Sequence, residues 1–191
     1  MKKQKIVFNY DALRSMDMVC CSGRSPFAMV TRIVTSGWRY MFNHGIAVHT
    51  AMIVELDGQK LIAEMQPKGL EIHSLQKYSK IGGRRWVIGL RRHSAYDDEQ
   101  ARKDAQAKIM LDLRRRLEYD YKGLFEFVCD RVKDNPKRAY CSEYYYQVSQ
   151  DRIGSYPKGF AEKVSPRDLQ TCAGFFPIAD WAVSPAGISG W

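Results

Sequence analysis

The sequence predicts an α+β fold in which an antiparallel sheet packs against helices. The first half of the chain contains short runs of β-branched and apolar residues separated by turn residues, which is typical of strands joined by hairpins. The second half contains apolar residues at four-residue spacing, which indicates helices. Since the 191 residues contain no internal repeat or linker, we expect a single domain over residues 1–191.

Five segments of the first half are predicted to be strands because they are rich in β-branched and apolar residues. They are residues 16–23, 45–56, 59–65, 70–75 and 85–90. The dipeptide Asp57-Gly58, between the second and third segments, is typical of a two-residue hairpin turn. Pro67 and Gly69 indicate the turn that follows.

Two helices are predicted in the second half. Asp97 and Gln100 resemble a capping box, which indicates that a long helix begins there. Its apolar face would consist of Ala101, Ala105, Ile109, Met110, Leu113 and Leu117. Asn135-Pro136 then breaks the chain, and residues 139–150 are predicted to form a second helix that begins near Cys141.

The chain is basic, with 30 Lys and Arg against 21 Asp and Glu and a formal net charge of +9. This charge favours acidic partners such as nucleic acid, an anionic envelope polymer or a phospholipid surface, without distinguishing among them. Arginine clusters occur at 84–85, 91–92 and 114–116. The last cluster is better explained as a solvated helix end than as a nucleic-acid surface, and no nucleic-acid module is indicated.

The cysteine pattern favours a reducing compartment. The number of cysteines is odd and no C-x-x-C pair occurs, so neither a disulfide framework nor a zinc ribbon is indicated, and we expect no metal or other cofactor. The five are Cys20, Cys21, Cys129, Cys141 and Cys172. The basic N-terminus lacks the apolar region of a signal peptide, and no stretch approaches about 18 apolar residues. We therefore expect a cytoplasmic protein without a transmembrane segment.

Cys141 is the candidate nucleophile. A thiol at a helix N-terminus lies near the positive end of the helix dipole and near unpaired backbone N–H groups, which stabilise the thiolate. The same N–H groups can receive the oxyanion of a tetrahedral intermediate. The alternative is a buried core cysteine that faces the sheet.

His49 interrupts an apolar strand, and burying it costs free energy unless its ring nitrogens find partners. A structural histidine is the usual explanation, but a cysteine partner would make His49 a general base. Counted outward from the Asp57-Gly58 turn, Glu64 is roughly level with His49 and on the same face. Its carboxylate would orient the imidazole. The alternative is a surface residue at a strand end. Glu55 and Glu71 are weaker candidates for the same role.

Six segments occur in a distinctive order between about residue 16 and residue 170. They are MDMVCCSG, HTAMIV, LDGQKLIAEMQPKGLEIHSL, YDYKGLFEF, AYCSEYYYQV and VSPRDL. This order, with the Tyr-Cys-Ser-Glu helix start, resembles the circularly permuted NlpC/P60 papain-like proteins and, more narrowly, their YiiX-like branch.

The resemblance implies a permuted papain-like fold with a catalytic triad of Cys141, His49 and Glu64. It also implies hydrolysis of amide bonds in peptides or peptidoglycan stems through a thioester acyl-enzyme, and it puts the segment MVCCSGRS beside the active site. His44 is the alternative to His49. Many relatives are exported or lipid-anchored, whereas this sequence shows no such signal.

Two other functions stay open from the sequence. The same triad is used on lipid acyl chains by the related lecithin–retinol acyltransferase group. A protein of a different class would bind nucleic acid or a membrane through its arginines and would need no thiol chemistry. Tyr144, Tyr145 and Tyr146 are compatible with either a substrate wall or helix packing.

Overall fold

The computed structural model describes residues 5–120, 138–153, 156 and 164–183. The principal sheet within them consists of β2 (Met18–Gly23), β3 (His49–Leu56), β4 (Gln59–Gln66), β5 (Gly69–Ser74), β6 (Arg85–His93) and β9 (Phe175–Pro177). The strands lie in the order β5-β4-β3-β2-β6-β9, and every neighbouring pair is antiparallel. The predicted α+β class, with an antiparallel sheet and helices, is confirmed.

Two short strand pairs accompany this sheet. β1 (Val7–Phe8) pairs with β10 (Ala182–Val183) in antiparallel orientation. β7 (Glu118–Tyr119) pairs with β8 (Arg138–Ala139) in parallel orientation.

The hairpin between β3 and β4 forms at the predicted dipeptide. Asp57 and Gly58 have φ angles of 50° and 73°, the left-handed conformation that a type I′ turn requires at both central positions. The predicted segment 45–56 was too long, because the strand itself begins at His49. Before that point the N–H of Ala47 donates to the side chain of Gln170, so the chain there is held by a helix.

The helices of the described residues are α1 (Pro26–Ser36), α2 (Glu99–Arg114), α3 (Cys141–Ser149) and α4 (Pro166–Thr171). The cap of α2 is Asp98 and not Asp97, since the Asp98 carboxylate accepts from the backbone N–H groups of the helix's first turn. The predicted apolar face of α2 was too long as well. Leu117 lies beyond the last helical residue, and the buried positions end with Ile109.

Two tyrosines of α3 serve in packing. Tyr144 and Tyr145 are buried in the core cluster that lies between α3 and the sheet. The Tyr144 hydroxyl donates to Asp112 of α2 at 3.2 Å, and the Tyr145 hydroxyl donates to the carbonyl of Met16 at 3.0 Å. These contacts favour helix packing over a substrate wall for both residues.

Alternation along β2 and β3 divides the core between the two faces of the sheet. Cys20 and Met52 belong to the cluster that includes α2 and α3, whereas Cys21 and Ala51 belong to the cluster on the opposite face. The two adjacent cysteines therefore point away from each other.

Several predicted features lie outside the described residues. These are Cys129, the break at Asn135-Pro136 and most of the YDYKGLFEF segment. Within the described part of the chain, no helix combines the length and the apolar character needed to cross a membrane.

Candidate active site

The structure brings the side chains of Cys141, His49 and Glu64 into one cluster. The Nε2 atom of His49 lies 2.7 Å from Oε2 of Glu64. The His49 ring also lies close enough to the Cys141 thiol to lower the pKa of that thiol. All three residues are buried.

The hairpin register explains why His49 and Glu64 meet. Met52 lies opposite Ala63, so Glu64 continues the register opposite Ala51, two residues from His49 on the same face. His49 is the first residue of β3, which puts its ring at the end of the sheet, near the beginning of α3.

Cys141 is the first residue of α3. The preceding residue, Tyr140, is extended with φ −93° and ψ 173°, and its N–H donates to Oε2 of Glu143 at 3.2 Å. The hydroxyl of Ser142 donates to the carbonyl of Val164 at 2.7 Å, which fixes the first turn. The N–H groups of a first helical turn have no acceptor within the helix, so this geometry suits both a thiolate and an oxyanion.

The pKa of the Cys141 thiol lies below its ordinary value. Burial alone would raise that pKa, but three partners outweigh burial: the His49 ring, the backbone N–H of Thr50 and the positive charge of Arg85. The other described cysteines differ in this respect. Burial raises the pKa of Cys20 to about 12 and raises the pKa of Cys21 well above its ordinary value.

The pKa of His49 is raised above its ordinary value. Burial and the charge of Arg85 oppose protonation of the ring, but the Cys141 thiolate and the Glu64 carboxylate favour it more strongly. A lowered thiol pKa beside a raised imidazole pKa favours a thiolate–imidazolium pair.

Glu64 is held by more partners than His49 alone. The Tyr78 hydroxyl lies 2.7 Å from both carboxylate oxygens, and Nζ of Lys77 lies 3.1 Å from Oε1. Burial raises the pKa of this carboxyl, but His49, Tyr78 and Lys77 together hold it well below its usual range. Glu64 is therefore a permanent anion that faces the ring.

Arg85 also belongs to this cluster. Its Nη1 lies 3.9 Å from Oε2 of Glu64. Arg85 was noted in the sequence only as part of an arginine cluster, and Tyr78 and Lys77 were not identified at all. No local pattern marks any of the three, because Lys77 and Tyr78 reach Glu64 from the turn after β5 and Arg85 reaches it from β6.

The other candidates of the sequence analysis have different partners. His44 Nδ1 accepts from Nη2 of Arg32 at 3.1 Å, and its ring lies 5.6 Å from that of Trp86. Oε2 of Glu71 lies 2.7 Å from Nε2 of His73. The side chain of Glu55 is exposed near the far end of β3. The segment MVCCSGRS lies beside His49, since Cys21 of β2 is its partner in the sheet.

Among solved structures, this chain is similar to a protein from Escherichia coli. No protein-family model matches the sequence, and no curated protein matches it. The crystal structure of YiiX from Escherichia coli O157:H7 superposes with a TM-score of 0.58 and 17% sequence identity. The match covers 87% of this chain and 97% of that chain.

YiiX is described as a metalloprotein. In the described part of the present chain, no group of three or more His, Cys, Asp or Glu side chains is arranged to hold a metal ion. The nearest such side chains are those of Cys141, His49 and Glu64, of which His49 and Glu64 are hydrogen-bonded to each other. These residues therefore do not fit a metal site.

The match agrees with the resemblance seen in the sequence. The superposition covers most of both chains, so the arrangement of the sheet and helices is that of YiiX. This chain has the YiiX-like fold.

Proposed function

We propose that this chain is a cysteine-dependent hydrolase of amide bonds, of the peptide or peptidoglycan-stem type. The observation that carries the proposal is the series Cys141–His49–Glu64 at the start of a helix, with a lowered pKa at the thiol. A nucleophile, a base in contact with it and a group that orients the base are the elements of nucleophilic catalysis. The YiiX-like fold supports the proposal.

In the proposed acylation step, the Cys141 thiolate attacks the carbonyl carbon of the amide. The oxygen gains negative charge and is stabilised by the backbone N–H groups at the start of α3. The C–N bond then breaks as the imidazolium of His49 gives its proton to the departing nitrogen. The products of this step are a free amine and a thioester on Cys141.

In the proposed deacylation step, neutral His49 takes a proton from water as the water oxygen attacks the thioester. The C–S bond breaks, the carboxylic acid leaves, and the thiolate–imidazolium pair is restored. If an amine or alcohol replaces water, the same thioester leads to acyl transfer. The molecule that accepts the acyl group therefore distinguishes the two activities: water in a hydrolase, and an amine or alcohol in an acyltransferase.

The charges around the site suit this cycle. The thiolate and Glu64 are the two anions, and the imidazolium and Arg85 are two cations beside them. Because the pair is buried, each charge interacts strongly with its neighbours and reorganises little during reaction. Glu64 acts as a positioning residue, since it reaches the reacting atoms only through His49.

The proposal is tested with a panel of short peptides, peptidoglycan stem peptides and acyl lipids, with product masses as the readout. We expect new amine and carboxylic acid products from an amide substrate, and none with Cys141→Ala. Cys20→Ala is the matched control, because Cys20 is a buried cysteine whose raised pKa keeps it a neutral thiol, so its loss should leave turnover intact. If acyl lipids alone are turned over, the protein acts on lipid acyl chains and is not a hydrolase of amide bonds. Unchanged turnover in Cys141→Ala would overturn both.

A further inference from the structure

The outer face of α1 and the turn after it expose three large apolar side chains. Val30 is 54% exposed, Trp38 is 72% exposed and Phe42 is 71% exposed. Trp38 and Phe42 are the most exposed large apolar side chains among the described residues. A group of exposed apolar residues close in sequence is uncommon on a protein surface and indicates contact with a partner.

α1 exposes Val30, whereas Ala28, Thr31 and the fully buried Arg32 are on its inner side. The helix ends at Ser36, and Gly37, with φ 92°, leads into a short 3-10 helix that begins at the exposed Trp38. A helix that faces water normally buries its apolar residues and exposes its charges. The exposed Val30 and the exposed rings that follow α1 therefore suit an apolar environment better than water.

This part of the chain is also free of negative charge. No Asp or Glu occurs between Asp17 and Glu55. Arg39, which is exposed, lies between Trp38 and Phe42, and its guanidinium stacks 4.8 Å from the ring centre of Tyr40. We define the α1 patch as Val30, Trp38, Arg39 and Phe42.

We propose that the α1 patch docks this chain on an anionic phospholipid bilayer. Exposed Trp and Phe side chains insert at the boundary between headgroups and acyl chains, where an aromatic ring has an apolar environment with water nearby. Arginine at the same level is attracted to anionic headgroups, and no carboxylate in the segment opposes that attraction. A nucleic-acid surface would use the arginine but would leave Val30 and Phe42 in water.

The α1 patch is joined rigidly to the strands of the candidate active site. Nη2 of Arg32 lies 2.7 Å from Oγ of Ser22 and 2.6 Å from the carbonyl of Gly23, at the end of β2. Cys21, which precedes Ser22 in β2, pairs with His49. Docking through the patch would therefore hold the end of the sheet that carries His49 at a fixed position relative to the bilayer.

The proposal is tested by co-sedimentation of the full chain with two kinds of vesicle. One contains equal parts of phosphatidylcholine and phosphatidylglycerol, and the other contains phosphatidylcholine alone. We expect binding to the anionic vesicles that weakens as salt is added, because salt screens charges at the surface. The double variant Trp38→Ala, Phe42→Ser should bind at least about tenfold more weakly, since two buried rings are lost. Arg39→Gln should bind about fivefold more weakly.

Two matched controls separate this surface from others. Phe176→Ser removes an exposed Phe from β9, outside the patch, and should bind as the wild type does. Cys141→Ala should also bind unchanged, so that the docking proposal is tested apart from the proposed hydrolase. Equal binding by the wild type and the double variant, or no binding to anionic vesicles, would overturn the proposal.

Two further results would assign the patch to another occupant. If the wild type is a dimer that the double variant converts to a monomer, a second copy of the chain covers the patch. If duplex DNA displaces the vesicles and the double variant loses DNA binding, the partner is nucleic acid. Either result contradicts the membrane assignment.

Discussion

His49 and Glu64 are joined by a 2.7 Å hydrogen bond between Nε2 and Oε2, and the Tyr78 hydroxyl donates to the same carboxylate oxygen at 2.7 Å. A carboxylate held by Tyr78 cannot follow a rotation of the imidazole, so the ring has one preferred orientation. The hydrogen bond between Nε2 and the carboxylate also favours one tautomer of the neutral ring, with the proton on Nε2.

We predict that Cys141 is alkylated faster than the other cysteines near neutral pH. Its pKa is lowered, whereas burial raises the pKa values of Cys20, Cys21 and Cys172. Iodoacetamide labelling followed by peptide mapping measures the five rates. In His49→Ala the pKa of Cys141 should rise, because burial raises that pKa and the ring that lowers it is gone. The rate of alkylation at pH 7 should then fall about tenfold for each unit by which the pKa rises. Faster labelling of Cys20 or Cys172 in the wild type would mean that the nucleophile is wrongly assigned.

We predict that Cys141→Ala and His49→Ala each abolish turnover, and that Glu64→Gln has a milder effect. The nucleophile and the base act as a unit, so removing either costs about as much as removing both. Glu64 acts only through the ring, and Gln can still accept a hydrogen bond from it. Turnover of each variant is measured on the substrate found in the panel, with circular dichroism as the check on folding. Small and equal effects of all three substitutions would favour a binding protein without thiol chemistry.

We predict that Tyr78→Phe destabilises the fold by about 1.5–3 kcal/mol, because its hydroxyl is hydrogen-bonded to a charged, buried carboxylate. Tyr96→Phe is the matched control. Tyr96 is also buried, but its hydroxyl has no hydrogen-bond partner among the described residues, so its removal should cost little. Urea unfolding of both variants measures the difference. Equal losses of stability in the two variants would contradict the role given to Tyr78.

We predict that the cost of Glu64→Gln depends on pH. At pH 7 it should be about 3 kcal/mol, because the substitution removes the charge of a buried ion pair. The folded pKa of Glu64 lies below its ordinary value of 4.5, so this stabilisation is present above that value and is lost as the pH falls toward the folded pKa.

Urea unfolding of the wild type and Glu64→Gln at a series of pH values measures this dependence. The difference in free energy of unfolding should be constant near neutrality and should shrink below about pH 4.5. Glu55→Gln, at an exposed position in β3, should show no such trend. A difference that grows as the pH falls would contradict the assignment.

Local signals predicted the centre of the fold. Asp57 and Gly58 can both adopt positive φ, so a two-residue turn could be predicted from the sequence. The turn fixes the register of β3 and β4, and this register predicts that His49 and Glu64 lie near each other. The start of α3 could be predicted from the sequence, because Asn135-Pro136 precedes a run of helix-compatible residues that begins with Cys141.

The remaining features depend on contacts between distant segments. α1 was not predicted, because it exposes Val30 and buries Thr31 and Arg32, so its pattern does not follow the ordinary rule for surface helices. Tyr78 and Arg85 were not linked to Glu64 because they approach it from after β5 and from β6. The catalytic roles of Cys141, His49 and Glu64 stay predictions.

Acylation of the wild-type chain by p-nitrophenyl acetate, quenched in acid and followed by peptide mapping, tests the central claim most directly. This activated ester needs no specific recognition, so the measurement does not depend on the unknown substrate. The account predicts one acetyl group on Cys141 in the wild type and a much slower appearance of that group in His49→Ala. An acetyl group on another residue, or equal rates of acetylation in the wild type and His49→Ala, would contradict it.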